Sequence, residues 1–161
     1  MKQHFAKCNV FEQRQALDFE KKFDCVLSKL PNTPGTSGDF VVEGPAPFHG
    51  RVIEFKFDRR SALSNNIYVE FEQTSDAWFS SKESGIALAI KNGQTVVLTC
   101  GPNKTNLIIE TESEYRQVIA NQIRVVPTRK GCNGNHNGVF SRGYIVPIST
   151  LGFLKSYPSG N

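Results

Sequence analysis

Glu54 and Lys56 stand two residues apart inside the otherwise apolar run Arg51-Val-Ile-Glu-Phe-Lys-Phe57, and Asp39 lies fifteen residues upstream in Gly35-Thr-Ser-Gly-Asp-Phe-Val-Val42. In an extended chain successive side chains point to opposite faces. Glu54 and Lys56 therefore share a face with Val52, while Ile53, Phe55 and Phe57 line the other. A carboxylate and an ammonium on an apolar strand are costly unless they are paired or bind something. With a second carboxylate at the end of the preceding strand, the set can hold a divalent metal, and the lysine then stands beside the metal-bound water. That chemistry is suited to phosphodiester hydrolysis, which needs an activated water, an in-line attack and relief of negative charge. An E-x-K tripeptide alone is common, and a solvated strand face is its ordinary meaning. The order of the segments around it carries the reading.

Those segments are legible in outline. Between residues 11 and 30, apolar side chains fall at Phe11, Ala16, Leu17, Phe19, Phe23, Val26, Leu27 and Leu30, which predicts a helix with Asn9 as its N-cap and Pro31 as its stop. Three strands are expected at 39–43, 51–57 and 66–72, joined as an antiparallel meander. Gly44-Pro-Ala-Pro-Phe-His-Gly50 forms the hairpin turn, and His49 is read as a turn residue. Residues 83–90 are ambiguous between helix and strand. Asn92 and Gly93 signal a turn before a strand at 95–99, and 107–109 reads as another. Thr111-Glu-Ser-Glu114 has capping-box spacing and opens a helix to about residue 121. A short strand at 123–126 is expected to end at Pro127, and the Gly- and Asn-rich stretch 128–138 is a long loop.

The order Gly-Asp-hydrophobic run, turn, hydrophobic-Glu-x-Lys resembles the PD-(D/E)xK nuclease superfamily, with Gly38 in place of the proline. Ser64-Asn-Asn-Ile-Tyr-Val-Glu-Phe-Glu72 followed by Ser84-Gly-Ile86 looks like small phage endonucleases and Holliday-junction resolvase-like nucleases. The resemblance spans about 11–126, with its specific content in 39–72. It implies an α/β (α+β) fold with a restriction-endonuclease-like αβββαβ core, a mixed central sheet flanked by helices. It also implies a Mg2+-dependent (or Mn2+-dependent) DNA endonuclease, phage-encoded, acting in the host cytoplasm. Asp39, Glu54 and the Phe55 backbone carbonyl would hold the metal, and Lys56 would hold the attacking water or neutralise the phosphate. The first helix would add an acid: Glu20, which shares a helical face with Ala16, Phe23 and Leu27, or Glu12 two turns earlier. Alternation puts Tyr68, Glu70 and Glu72 on one face, where Glu70 would orient Lys56 or join a second metal site.

Composition is compatible. The 161 residues suit a single domain, a core of about 11–126 with a basic loop and C-terminal extension at 127–161. No apolar run approaches the ~20 residues of a membrane span, and the first residues show no apolar signal region, so no membrane partner and a cytoplasmic location are expected. The four cysteines, Cys8, Cys25, Cys100 and Cys132, are scattered, which predicts reduced thiols. Glu114 is the last acid. Arg116, Arg124, Arg129, Lys130, Arg142 and Lys155 follow it, so the surplus within the net charge of +4 belongs to the C-terminal third, as expected of a surface along a phosphate backbone. Arg59, Arg60, Arg129, Lys130 and Arg142 are the candidate DNA contacts. Monomer and homodimer both stay open, as does the choice between sequence-specific, nicking and structure-specific cutting. A second reading is a catalytically inactive nuclease-fold protein that binds nucleic acid or inhibits a host factor. A third is an E-x-K pair that serves only as a structural salt bridge.

Overall fold

The computed structural model describes residues 2–30, 40–44, 48–75, 79–129 and 139–160. In chain order the elements are α1 (Lys2–Phe23), β1 (Val26–Lys29), β2 (Phe40–Glu43), β3 (Val52–Phe57), α2 (Ser61–Ser64), β4 (Asn66–Ser75), β5 (Lys82–Glu83) and α3 (Gly85–Lys91). They continue as β6 (Thr95–Cys100), β7 (Thr105–Ile109), α4 (Glu112–Ala120), β8 (Arg124–Arg129), β9 (Val139–Pro147), a 3-10 turn (Ile148–Thr150) and β10 (Lys155–Pro158). The fold is mixed α/β, built on a mixed six-stranded sheet in the order β1-β2-β3-β6-β7-β10, with a second sheet ordered β5-β4-β9-β8.

β3 is the strand at which the large sheet changes sense. It pairs antiparallel with β2 through Phe40↔Ile53 and Val41↔Val52, and parallel with β6 from Ile53↔Thr95 to Phe57↔Thr99. Its two faces meet different layers. Ile53 and Phe55 join Ala16 and Phe19 of α1, with Val97 and Ile108, in one buried cluster. Phe19 is fully buried and meets Phe48 and Phe55 edge-on, burial worth about 1.5–3 kcal/mol for such a side chain. On the other face Val96, Leu98, Leu107 and Ile109 pack with Ile86 and Ala89 of α3, Val118 of α4, and Ile67, Val69 and Val146 of the small sheet. The capping box expected at Thr111 is present: Thr111 Oγ1 accepts Glu114 N–H at 3.0 Å, and Glu114 accepts Thr111 N–H at 3.2 Å.

The structure departs from the sequence expectations at definite points. The first helix begins before Asn9, which is therefore not its cap, and it ends at Phe23 rather than near Leu30. Asp24 turns left-handed at φ 50° and Cys25 N–H reaches back to the Glu20 carbonyl at 3.2 Å. The chain then extends, and Val26 and Leu27, which continue the helical spacing, belong to β1. The three-strand meander is consequently β1, β2 and β3. The strand expected at 66–72 is longer and leaves this sheet to pair with β9. Residues 83–90 resolve mainly into α3. β8 passes through Pro127 to Arg129; among the described residues it pairs with β9 alone, and an edge strand tolerates a proline that cannot donate to a ladder. The apolar stretch 144–154 supplies core, with Val146, Leu151 and Leu154 buried.

Candidate active site

Because Ile53 and Phe55 face α1, Glu54 and Lys56 project to the opposite side of the sheet, beside Val96 and Leu98 in register on β6. Lys56 Nζ lies 2.9 Å from Glu54 Oε1; the glutamate side chain is 11% exposed and the lysine 36%. Among the described residues no donor meets the buried Glu54 Oε2. The pair is thus lopsided. One carboxylate oxygen is used, the other is held dry, and the ammonium still reaches water. Desolvating such a carboxylate costs about as much as the attraction returns, so the arrangement contributes little to stability and preserves an oxygen with bonding capacity.

The other candidate residues fall into place around β3. Asp39 lies outside the described residues; its chain neighbour Phe40 is buried and pairs with Ile53, the neighbour of Glu54. Phe55 is buried between Phe19 and Phe40, which fixes the backbone carrying its carbonyl. Glu20 Oε2 accepts the Leu27 N–H at 2.8 Å and so secures the start of β1. Glu12 lies 3.6 Å from Lys29 of β1, and Lys29 sits over the Phe40 ring at 4.9 Å. Both helix acids belong to the face of the sheet opposite Glu54. Among the described residues, no three His, Cys, Asp or Glu side chains converge as a metal cluster.

Glu70 is buried and accepts from Gln73 Nε2 at 3.2 Å. Gly85 comes so close that a Cβ there would stand 2.6 Å from the Glu70 Cβ. The expected alternation of Tyr68, Glu70 and Glu72 fails. The register with β9 slips between Glu70 and Glu72, so that Glu70 opposes Gly143 and Glu72 opposes Arg142. Phe71 is the extra residue of a bulge, which turns Glu72 over. Glu72 then pairs with Arg142 at 3.4 Å, next to the Phe71 ring that Arg142 covers at 5.6 Å, while Gln73 comes round to Glu70.

Arg59 and Arg60 are exposed, and Arg59 lies 5.6 Å over the Phe57 ring, which itself stacks on Phe11 at 4.7 Å. Arg129 closes β8 with its side chain outside the described set, and Lys130 lies outside it altogether. Sequence reasoning missed the role of Asp58. It is half-buried and accepts Ser61 N–H at 3.2 Å and Tyr68 N–H at 2.7 Å. Burial pushes its carboxyl above the ordinary range, opposed by those backbone donors and by Arg60. The signal was Asp three residues ahead of Ser at the end of an apolar strand, a capping pattern. Cys100 is free and buried, and burial together with the nearby Asp58 carries its thiol up to about 12, which makes it inert. Comparison of the chain with family models, curated proteins and solved structures finds no match.

Proposed function

We propose that the chain is a metal-dependent endodeoxyribonuclease with a restriction-endonuclease-like core, whose reacting groups are Glu54, Lys56 and Asp39. The observation that carries this reading is the buried, unpartnered Glu54 Oε2 beside a lysine that keeps contact with water. The order α1, β1, β2, β3, α3, β6 supports it: β1, β2 and β3 form an antiparallel meander, and β6 runs parallel to β3. In that order Asp39 immediately precedes β2, and the Glu-x-Lys pair occupies β3.

The donor set fits a hard cation. Glu54 Oε2 is an oxygen with a free lone pair, and the Asp39 carboxylate and Phe55 carbonyl are of the same kind, which suits Mg2+ or Mn2+. When bound, such an ion lowers the pKa of water and offsets charge on the phosphate. The chain's own residues supply the rest. Glu54 Oε1 lies 2.9 Å from the Lys56 ammonium, which would keep the lysine next to an ion held by Glu54 and Asp39. There Lys56 orients a water for in-line attack and neutralises a non-bridging oxygen. The helix acids stand apart from this set, since Lys29 ties Glu12 and the β1 backbone engages Glu20, both on the face of the sheet opposite Glu54.

The test is a cleavage assay on supercoiled plasmid, linear duplex, single strand and a four-way junction, in Mg2+, Mn2+ or EDTA. Metal-dependent cutting that Lys56→Ala and Glu54→Ala each lose by at least about 10²-fold, the usual scale for a positioned catalytic group, is the expected result. DNA binding without any cutting by wild type would instead assign the fold to recognition alone.

A further inference from the structure

The turn after β3 is fastened from several sides and still presents an apolar side chain to water. Asp58 accepts the Ser61 and Tyr68 N–H groups. Ser61 Oγ accepts Gly101 N–H at 2.8 Å and donates to the Asp58 carbonyl. Asn65, left-handed at φ 55°, closes α2, and its carbonyl accepts Ile148 N–H at 2.9 Å. Strand β4, the turn after β6 and the 3-10 turn thus all grip this short segment. Leu63 within it is 93% exposed, and Arg59 and Arg60 precede it on the surface, with Arg59 steadied over Phe57.

A single exposed leucine is ordinary. Here the backbone beneath it is already ordered, so docking it on a partner forfeits little further conformational freedom. The two arginines favour a polyanion. One aliphatic side chain is too narrow a patch for a protein interface but has the dimensions of a wedge between stacked bases. Its position matters too, because Arg59 follows Lys56 by three residues, in the turn that ends β3, at most about 10 Å away.

We propose that the α2 turn opens the DNA beside the cut: Arg59 and Arg60 grip phosphates while Leu63 inserts between neighbouring base pairs. This rests on the nuclease reading above and adds a substrate class to it. The substrate is duplex DNA at a deformable or already opened step, such as a pyrimidine–purine step, a nick or a bulge.

The test uses the full chain and a nicked duplex carrying 2-aminopurine at the nick, whose fluorescence rises on unstacking, in EDTA so that no strand is cut. Wild type is expected to raise the signal, and Leu63→Ser to lose most of that rise without a change in melting temperature. In Mg2+, Leu63→Ser should cut intact duplex about tenfold more slowly but a bulged duplex less than about twofold more slowly, since the bulge has already met the cost of unstacking. Equal losses on both substrates, or a fluorescence rise that survives Leu63→Ser, overturn the wedge. Binding by wild type without any rise also overturns it, leaving the turn as a backbone contact. If wild type cuts no DNA in any metal, the nuclease reading fails instead, and the fluorescence measurement still decides the wedge.

Discussion

At Glu54, buried, and Asp58, half-buried, two carboxylates serve opposite ends. Both Asp58 oxygens accept backbone N–H groups, whereas Glu54 keeps one oxygen without a partner. Glu54→Leu should therefore abolish cutting while stability holds or rises by about 1 kcal/mol, because a desolvated charge is removed and Lys56 can turn to water; urea melts beside the cleavage assay check this. Asp58→Asn should behave in the reverse way, losing about 1–3 kcal/mol, because its amide cannot accept from both N–H groups. The pH dependence of Asp58 has an unusual sign. Its folded carboxyl titrates above the ordinary value, so between the two values the folded state keeps a proton that the unfolded chain has released. Its contribution falls as pH rises through that window and is flat above it. The stability difference between wild type and Asp58→Asn, measured from pH 3 to 7, should shrink with rising pH.

Among the elements, α3 sits where Gly85 allows a close approach to β4. Gly85 opens it at φ 63° with the Glu70 Cβ and carbonyl inside the space a methyl group would need. Gly85→Ala should cost about 1–3 kcal/mol from strain and overpacking and move Glu70; denaturant unfolding with and without metal checks both effects. This scale also divides what the sequence made legible from what it did not. β2, β3, β6, β7 and the capping box of α4 follow from alternation, turn residues and Thr111 with Glu114. β1 was hidden because Phe23, Val26, Leu27 and Leu30 keep a helical period, and nothing local reveals that Asp24 turns left-handed. The bulge at Phe71 was hidden because it arises from pairing with β9, some seventy residues away. The Glu54 and Lys56 pair was readable from period two alone. Its unpartnered oxygen was not, because that depends on which layers cover each face of β3.

For the molecule as a whole, the charge asymmetry has a checkable outcome. The basic surplus after Glu114 is not all available for phosphate, since Arg142 already meets Glu72 and covers Phe71, and Lys155 lies 3.2 Å from Glu110. On the proposed nuclease reading, the salt dependence of DNA binding should reflect this. Arg60→Ala is expected to flatten the slope of log K against log salt by about one, and Arg142→Ala to flatten it by less. Fluorescence anisotropy across a salt series separates the two.

The end of the described chain also fastens its beginning. β10 completes the large sheet beside β7, Gln15 of α1 donates to Ser159 across 144 residues at 3.3 Å, and Gly160 N–H reaches Asp18 across 142 at 3.0 Å. During synthesis α1 is made long before residues 155–160, so these two ties close only after β3 is complete. A nascent chain stalled short of β10 would carry Glu54 and Lys56 on β3 without the ties that join α1 to residues 159 and 160.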